Sequence, residues 1–151
     1  MPYRICKAFE VESGHQLAKH PDACRFPHGH TRRVEIIVEA DSLNARDMVT
    51  DFKVVKAAAK EAIDAYDHAL CVNTDDPMHA TLKQAYGERI ISFEKQDPTT
   101  EVITKLIFDI VSARLAELTA KPLLDHPPPQ GVRVRRVRIY ETSSCWAEYE
   151  A

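Results

Sequence analysis

Two alternating runs, each leading into histidine, constrain this chain more than any other feature. Over Tyr3 to Ser13, Ile5, Phe9 and Val11 fall on one side, and Arg4, Glu10 and Glu12 on the other. Over Thr31 to Ala40, Val34, Ile36 and Val38 share a face opposite Arg33, Glu35 and Glu39. Period-two alternation predicts two half-buried strands. His15 keeps the parity of Ile5 and Val11, and His28 and His30 keep that of Val34. Histidines at i and i+2 on an extended chain point the same way. Gly29 between them is read as supplying a permissive backbone. A third imidazole from the adjacent strand would complete a facial set of three nitrogens. Zinc suits that set, because it takes imidazole at about 2.0–2.1 Å and a catalytic site keeps one position open. The spacing also allows a closed structural site with Cys24 as fourth ligand. Each histidine taken singly is as well explained as an ordinary hydrogen-bonding partner.

The rest of the chain reads as one domain, 1–151. Asp41 to Asp47 is a polar turn, and a helix starts near Asp51, which can cap it. Phe52, Val55, Ala59, Ala62, Ile63 and Tyr66 recur at helical spacing, with Asp67 and His68 at the end. Asn73 to Gln96 is irregular or mixed, with a short apolar run at Ile90, Ile91 and Phe93 that allows an extra strand. A second helix opens after Pro98, capped by Thr99 or Thr100. Its apolar stripe is Ile103, Leu106, Ile107 and Ile110, and it stops before Pro122. Asp125 to Gly131 is a loop. Strands Val132 to Glu141 and Cys145 to Glu150 follow, joined at Thr142–Ser144. The order strand, strand, helix, helix, strand, strand predicts an α+β domain with helices on one face of an antiparallel sheet. The sheet's open edges invite closure by oligomerisation.

Composition narrows the function classes. The net charge of −3 over 151 residues argues against a nucleic-acid or anionic-membrane partner. No apolar run approaches the roughly 20 residues that span a bilayer. The N-terminus MPYRICKAFE lacks the apolar centre of a secretory signal, so a cytoplasmic protein is expected. There the four cysteines stay reduced. Cys6, Cys71 and Cys145 are read as small buried hydrophobes. Cys24 differs, because a thiol beside a dication and imidazoles is biased toward the thiolate and suits proton chemistry. A carboxylate beside His68 can fix its tautomer. Adjacent residues need not touch, however, and on spacing alone Asp67–His68 reads more readily as a helix-end cation than as a dyad. His20, His79 and His126 are read as solvated.

Six motifs in register resemble the 6-pyruvoyl-tetrahydropterin synthase / 6-carboxy-tetrahydropterin synthase family. They are Phe9 followed by SGH at Ser13 to His15, C-x-x-x-H-G-H at Cys24 to His30, and MVTDF at Met48 to Phe52. DHAL at Asp67 to Leu70, DPTTE at Asp97 to Glu101 and YETSSCWAEY at Tyr140 to Tyr149 complete the set. Gln16, Pro27, Asn73 and the length of the Asn73–Gln96 stretch depart from the pattern without removing a ligand or catalytic side chain. The resemblance implies the tunnelling fold, a four-stranded antiparallel sheet with two helices on one face. Its trimers close sheets into a barrel and pair into a homohexamer with active sites at subunit interfaces. It also implies that His15, His28 and His30 bind Zn2+, and that Cys24 and the Asp67–His68 pair move protons. Glu141 would then anchor the pterin ring through a bidentate, charge-assisted contact, with Thr99 and Glu101 near that pocket.

The implied substrate is 7,8-dihydroneopterin triphosphate. Its products would be 6-carboxy-5,6,7,8-tetrahydropterin, acetaldehyde and triphosphate, on the route to deazapurines such as queuosine. A pyruvoyl-forming enzyme and a non-catalytic zinc- or pterin-binding module are the alternatives. Arg25, Arg32, Arg33, Arg133, Arg135, Arg136 and Arg138 can serve the triphosphate or simply form a solvated sheet face.

Overall fold

The computed structural model describes residues 1–120 and 131–151. Strands β1 (Tyr3–Gln16) and β2 (His28–Ala40) form a long antiparallel pair, as the alternation predicts. Helix α1 (Phe52–Tyr66) follows, with the Asp51 carboxylate accepting from the Lys53 amide at 2.8 Å, so the expected cap is in place. Then come β3 (Ala69–Asn73), α2 (His79–Tyr86), β4 (Ile90–Phe93), α3 (Thr100–Ala120), β5 (Arg133–Thr142) and β6 (Cys145–Glu150). The predicted stop before Pro122, most of the Asp125 to Gly131 loop, and His126 lie outside the described residues.

The α+β class is correct, but the sheet has six strands rather than four, in the order β4-β3-β1-β2-β5-β6. It is mixed rather than antiparallel, since β1–β3 and β3–β4 are parallel pairs. The chain order therefore departs from strand, strand, helix, helix, strand, strand: two strands and a third helix come from residues 69–93. Ala69 to Asn73 is too short to display a period, and β3 is nearly all buried, so it has no polar alternation to read. The Ile90–Phe93 run does become a strand. His68 makes the turn from α1 into β3 with φ +58°, a left-handed backbone that non-glycine residues seldom adopt. Its amide donates to the Glu12 carbonyl at 2.6 Å, which pins this conformation to β1.

Helices α1 and α3 pack on each other and on one sheet face. Val11, Val34, Ile36, Val38, Val137 and Ile139 meet Val55, Ala59, Ile103, Ile107 and Val111 there. Burying a side chain such as Ile36 stabilises the fold by about 1.5–3 kcal/mol. Two expected core members are exposed instead: Phe52 at 51% and Leu106 at 38%. Phe52 is the first residue of α1, before the helix reaches the sheet. On α3 the buried apolar residues are Ile103, Ile107, Phe108, Val111, Leu115 and Leu118, with Thr100 and Thr104 buried among them. Leu106 lies beside them. Of the cysteines, Cys71 is buried, whereas Cys6 and Cys145 are exposed. Cys6 has the outward parity of β1, and Cys145 opens an edge strand. No described helix is long and apolar enough to cross a membrane.

Candidate metal centre

The antiparallel register sets His15 opposite His28, and Ser13 opposite His30. All three rings therefore emerge together, with centroids 4.5–5.2 Å apart. One nitrogen from each ring lies within 4.8 Å of the other two. His15 Nε2 and His30 Nε2 are 3.2 Å apart. Two nitrogens sharing a tetrahedral ion at about 2.0–2.1 Å would be about 3.3 Å apart. The set fits a zinc-sized ion, and the gathered ligands include no sulfur.

Outer hydrogen bonds aim these rings. His15 Nδ1 faces the Pro98 carbonyl at 2.8 Å, and His28 Nδ1 faces the Phe26 carbonyl at 2.8 Å. A carbonyl can only accept, so each Nδ1 carries the proton and each Nε2 lone pair is free for a metal. Pro98 is itself positioned by a buried anchor: Asp97 accepts from the Lys19 amide and from Asn73 Nδ2, both at 2.9 Å. Burial, with Arg32, His28 and His30 adding to it, lowers the His15 pKa to about 4 despite the Pro98 bond. Burial also lowers that of His30. Both rings are thus neutral at neutral pH, as metal ligation requires.

Gly29 plays a different part from the one expected. It sits in β2 without a positive φ, and a Cβ there would meet only Ser13 O at 3.5 Å. The tight position is Gly14, where a Cβ would lie 3.1 Å from Leu70 Cδ1. A larger residue at 14 would require the Leu70 side chain to shift by a few tenths of an ångström where β1 approaches β3.

Glu141, on β5, brings a carboxylate to the same place, with Oε1 4.0 Å from His15 Nε2. Partial burial opposes its charge. The Thr100 hydroxyl, which donates to Oε1, and the nearby His30, Arg32 and His15 outweigh that and hold its pKa below the ordinary value. Asp67 and His68 do touch, Oδ2 to Nδ1 at 3.0 Å, and Asp67 Oδ1 accepts from the Glu12 amide at 3.0 Å. The Glu12 amide, then His68, lower the Asp67 pKa. His68 shares an open cleft of about 320 Å³ with His30 and with Glu12, Gly14 and Thr31.

Other expected site residues stand apart. Cys24 is half-buried on a single 3-10 turn, Ala23–Arg25, whose Cys24 carbonyl accepts from Leu17 N at 3.0 Å. Thr99 caps α3, its hydroxyl taking the Val102 amide at 3.3 Å, while Thr100 meets Glu141. Glu101 is exposed on a separate groove with Gln96, Lys105 and Asp109. Arg133, Arg135, Arg136 and Arg138 pair with Glu39, Asp41, Glu148 and Glu150, and Arg33 pairs with Glu35. Glu39 keeps the outward parity of Arg33 and Glu35 but is buried there beneath Arg4 and Arg133, its cross-strand partners on β1 and β5. His20 accepts from the Asp22 amide, and His79 bonds Ser92. Arg32 and Thr100 were missed as site residues. Arg32 has the parity of His30 and Val34, which signals the inward face; it is 2% exposed.

Comparison with known proteins agrees with this geometry. The sequence profile of 6-pyruvoyl tetrahydropterin synthase matches residues 4–151. The 6-carboxy-5,6,7,8-tetrahydropterin synthase of Aquifex aeolicus strain VF5 is 32% identical, over 99% of each chain. An uncharacterized protein of Wolinella succinogenes shares the fold with a TM-score of 0.77, at 22% identity over 99% of this chain and 98% of that one. The 6-pyruvoyl tetrahydropterin synthase of Caenorhabditis elegans does so with a TM-score of 0.66, at 15% identity over 100% of this chain and 96% of its own.

Proposed function

The chain belongs to the 6-pyruvoyl tetrahydropterin synthase family, and on that premise we propose that it is a zinc-dependent lyase acting on 7,8-dihydroneopterin triphosphate. Its products are 6-carboxy-5,6,7,8-tetrahydropterin, acetaldehyde and triphosphate. The carrying observation is the convergence of three imidazoles beside the Glu141 carboxylate. The name of the relative at 32% identity favours the carboxy product over the pyruvoyl one.

His15, His28 and His30 hold the ion. When bound, it supplies Lewis acidity toward the substrate's side-chain oxygens. Glu141, kept ionised by Thr100 and its cationic surroundings, accepts two N–H groups of the pterin ring. His68 moves one proton, with Asp67 on its Nδ1 leaving Nε2 toward the cleft. Cys24 moves the other. Thr99 and Glu101 belong to the substrate-binding segment, Glu101 reaching a pocket completed by a neighbouring subunit. The edge strands β4 and β6 suit closure into a homohexamer, a dimer of trimers, working in the cytoplasm on a deazapurine route.

The test is a product assay. Zinc-loaded protein given the triphosphate should release acetaldehyde and a carboxypterin by mass spectrometry. Cys24→Ala should keep zinc and pterin binding yet form no product. A pyruvoyl product would move the assignment to the other branch of the family. Unchanged turnover in Cys24→Ala would remove the thiol from the mechanism.

A further inference from the structure

Arg32 is the one buried Lys or Arg among the described residues. A guanidinium taken out of water needs both an acceptor and a balancing anion. Its Nη1 donates to Thr100 Oγ1 at 2.9 Å. Its Nε is buried without a partner, and Nη2 faces His15 Nδ1, whose own proton goes to the Pro98 carbonyl. Thr100 is therefore the one acceptor of Arg32 among the described residues. The anion lies one side chain further on. A guanidinium only donates, so the Thr100 hydroxyl, having accepted from it, turns its single proton to Glu141 Oε1. Arg32 and Glu141 thus form an ion pair relayed by a hydroxyl, and the Glu141 charge does act on Arg32. The middle of the relay is held as well. Thr100 is 4% exposed at the start of α3, and its carbonyl accepts from the Thr104 hydroxyl at 2.6 Å.

The relay has a fixed polarity. With the hydroxyl locked as a donor, Glu141 meets a ligand only as an acceptor. Pterin answers with two N–H groups, one from its 2-amino group and one from the neighbouring ring nitrogen. Lumazine, the 2,4-dioxo analogue, offers one N–H beside a carbonyl, which sets oxygen against oxygen. Freed from Arg32, the Thr100 hydroxyl can turn and donate to such a carbonyl.

We propose that Arg32 is a positioning residue for ring specificity: by holding the Thr100 hydroxyl as a donor to Glu141, it makes the site take 2-amino-4-oxo rings and reject 2,4-dioxo rings. This deepens the reading above and rests on it for Glu141 as the ring anchor.

The test measures binding of pterin and of lumazine by fluorescence, on zinc-supplied full-length protein at neutral pH. Wild type should favour pterin by about 100-fold, because with lumazine the carboxylate loses a charge-assisted bond and faces an oxygen. Arg32→Met and Thr100→Val should each cut that preference by about 10-fold. The double variant should cut it no further, since Arg32 acts only through the hydroxyl. Thr100→Ser keeps the hydroxyl and should keep the preference. A general loosening of the fold would weaken both rings alike and leave their ratio unmoved.

A folded Arg32→Met protein whose preference stays within about 2-fold of wild type overturns the inference. So do additive losses in the double variant, a serine variant that behaves like the valine one, or a wild type without preference for pterin. If Arg32→Met fails to fold, Thr100→Val decides, because an unchanged preference there breaks the relay at its middle. Turnover is read separately. The expected preferences without turnover of the triphosphate would sink the lyase assignment and leave the inference standing. Turnover with unchanged preference in the variants would do the reverse.

Discussion

Replacing Asp97 by its isostere should be costly, although the shape hardly changes. Both carboxylate oxygens accept: Oδ2 from the Lys19 amide and Oδ1 from Asn73 Nδ2, each at 2.9 Å. Asp97 is 8% exposed and Asn73 is 0% exposed, so water cannot replace either donor's partner cheaply. Asp97→Asn turns one oxygen into an NH2 group, and whichever way the amide is flipped that group faces a donor. A charge-assisted bond worth about 1.5–3 kcal/mol is lost, and a buried N–H left unsatisfied adds about 1–3 kcal/mol. The expected destabilisation is about 3 kcal/mol by urea unfolding. The next residue supplies the carbonyl that orients His15, so zinc affinity should fall by about 10-fold as well.

Exchanging the two chemistries should rescue the protein. In Asn73→Asp/Asp97→Asn, a carboxylate at 73 can accept from the Asp75 amide, which now donates to Asn73 Oδ1 at 2.8 Å, and from the new amide at 97. The oxygen of that amide remains for Lys19. The exchange should recover about 2 kcal/mol, a coupling typical of residues in direct contact. The reasoning fails if Asp97→Asn unfolds within about 0.5 kcal/mol of wild type, or if the exchange variant is no more stable than the single one.

Three further outcomes follow from single contacts. His28→Ala removes one of the three proposed ligands, so the zinc dissociation constant should rise by about 100-fold or more in a chelator competition, with an unchanged circular dichroism spectrum. Asp51→Ala removes the cap of α1 and should lower stability by about 1 kcal/mol, or roughly 2–4 °C in Tm. Burial raises the Cys71 pKa to about 12, so roughly one thiol in 10,000 is thiolate at pH 8. Peptide mass mapping should find Cys71 unreactive to iodoacetamide until guanidinium unfolds the chain, while the exposed Cys6 and Cys145 react; labelling of Cys71 in the native protein would contradict its burial.

Much of this arrangement is legible in local patterns. Alternation around Val11 and Val34 places β1 and β2, and parity alone puts His15, His28 and His30 on the face that turns inward. Asp51 and the apolar spacing after it mark α1. The same parity rule reaches Arg32, yet a charged residue reads by default as solvated. Strand β3 escaped because five nearly all-buried residues carry no polar counterpoint, and the parallel pairing of β1, β3 and β4 has no short-range signature. Whether Asp67 and His68 touch depended on a left-handed turn at His68, held by a hydrogen bond to Glu12, 56 positions away in numbering (68 less 12).

The residue order by itself determined which side chains could face a metal, because a strand's two-residue repeat is a property of consecutive peptide units. What aims and ties those side chains was decided only by tertiary structure. His15 meets Pro98 across 83 positions, Arg32 meets Thr100 across 68, and Thr100 meets Glu141 across 41. Those hydrogen bonds exist only once α3 has docked on the sheet and β5 has paired with β2, and no local periodicity encodes them.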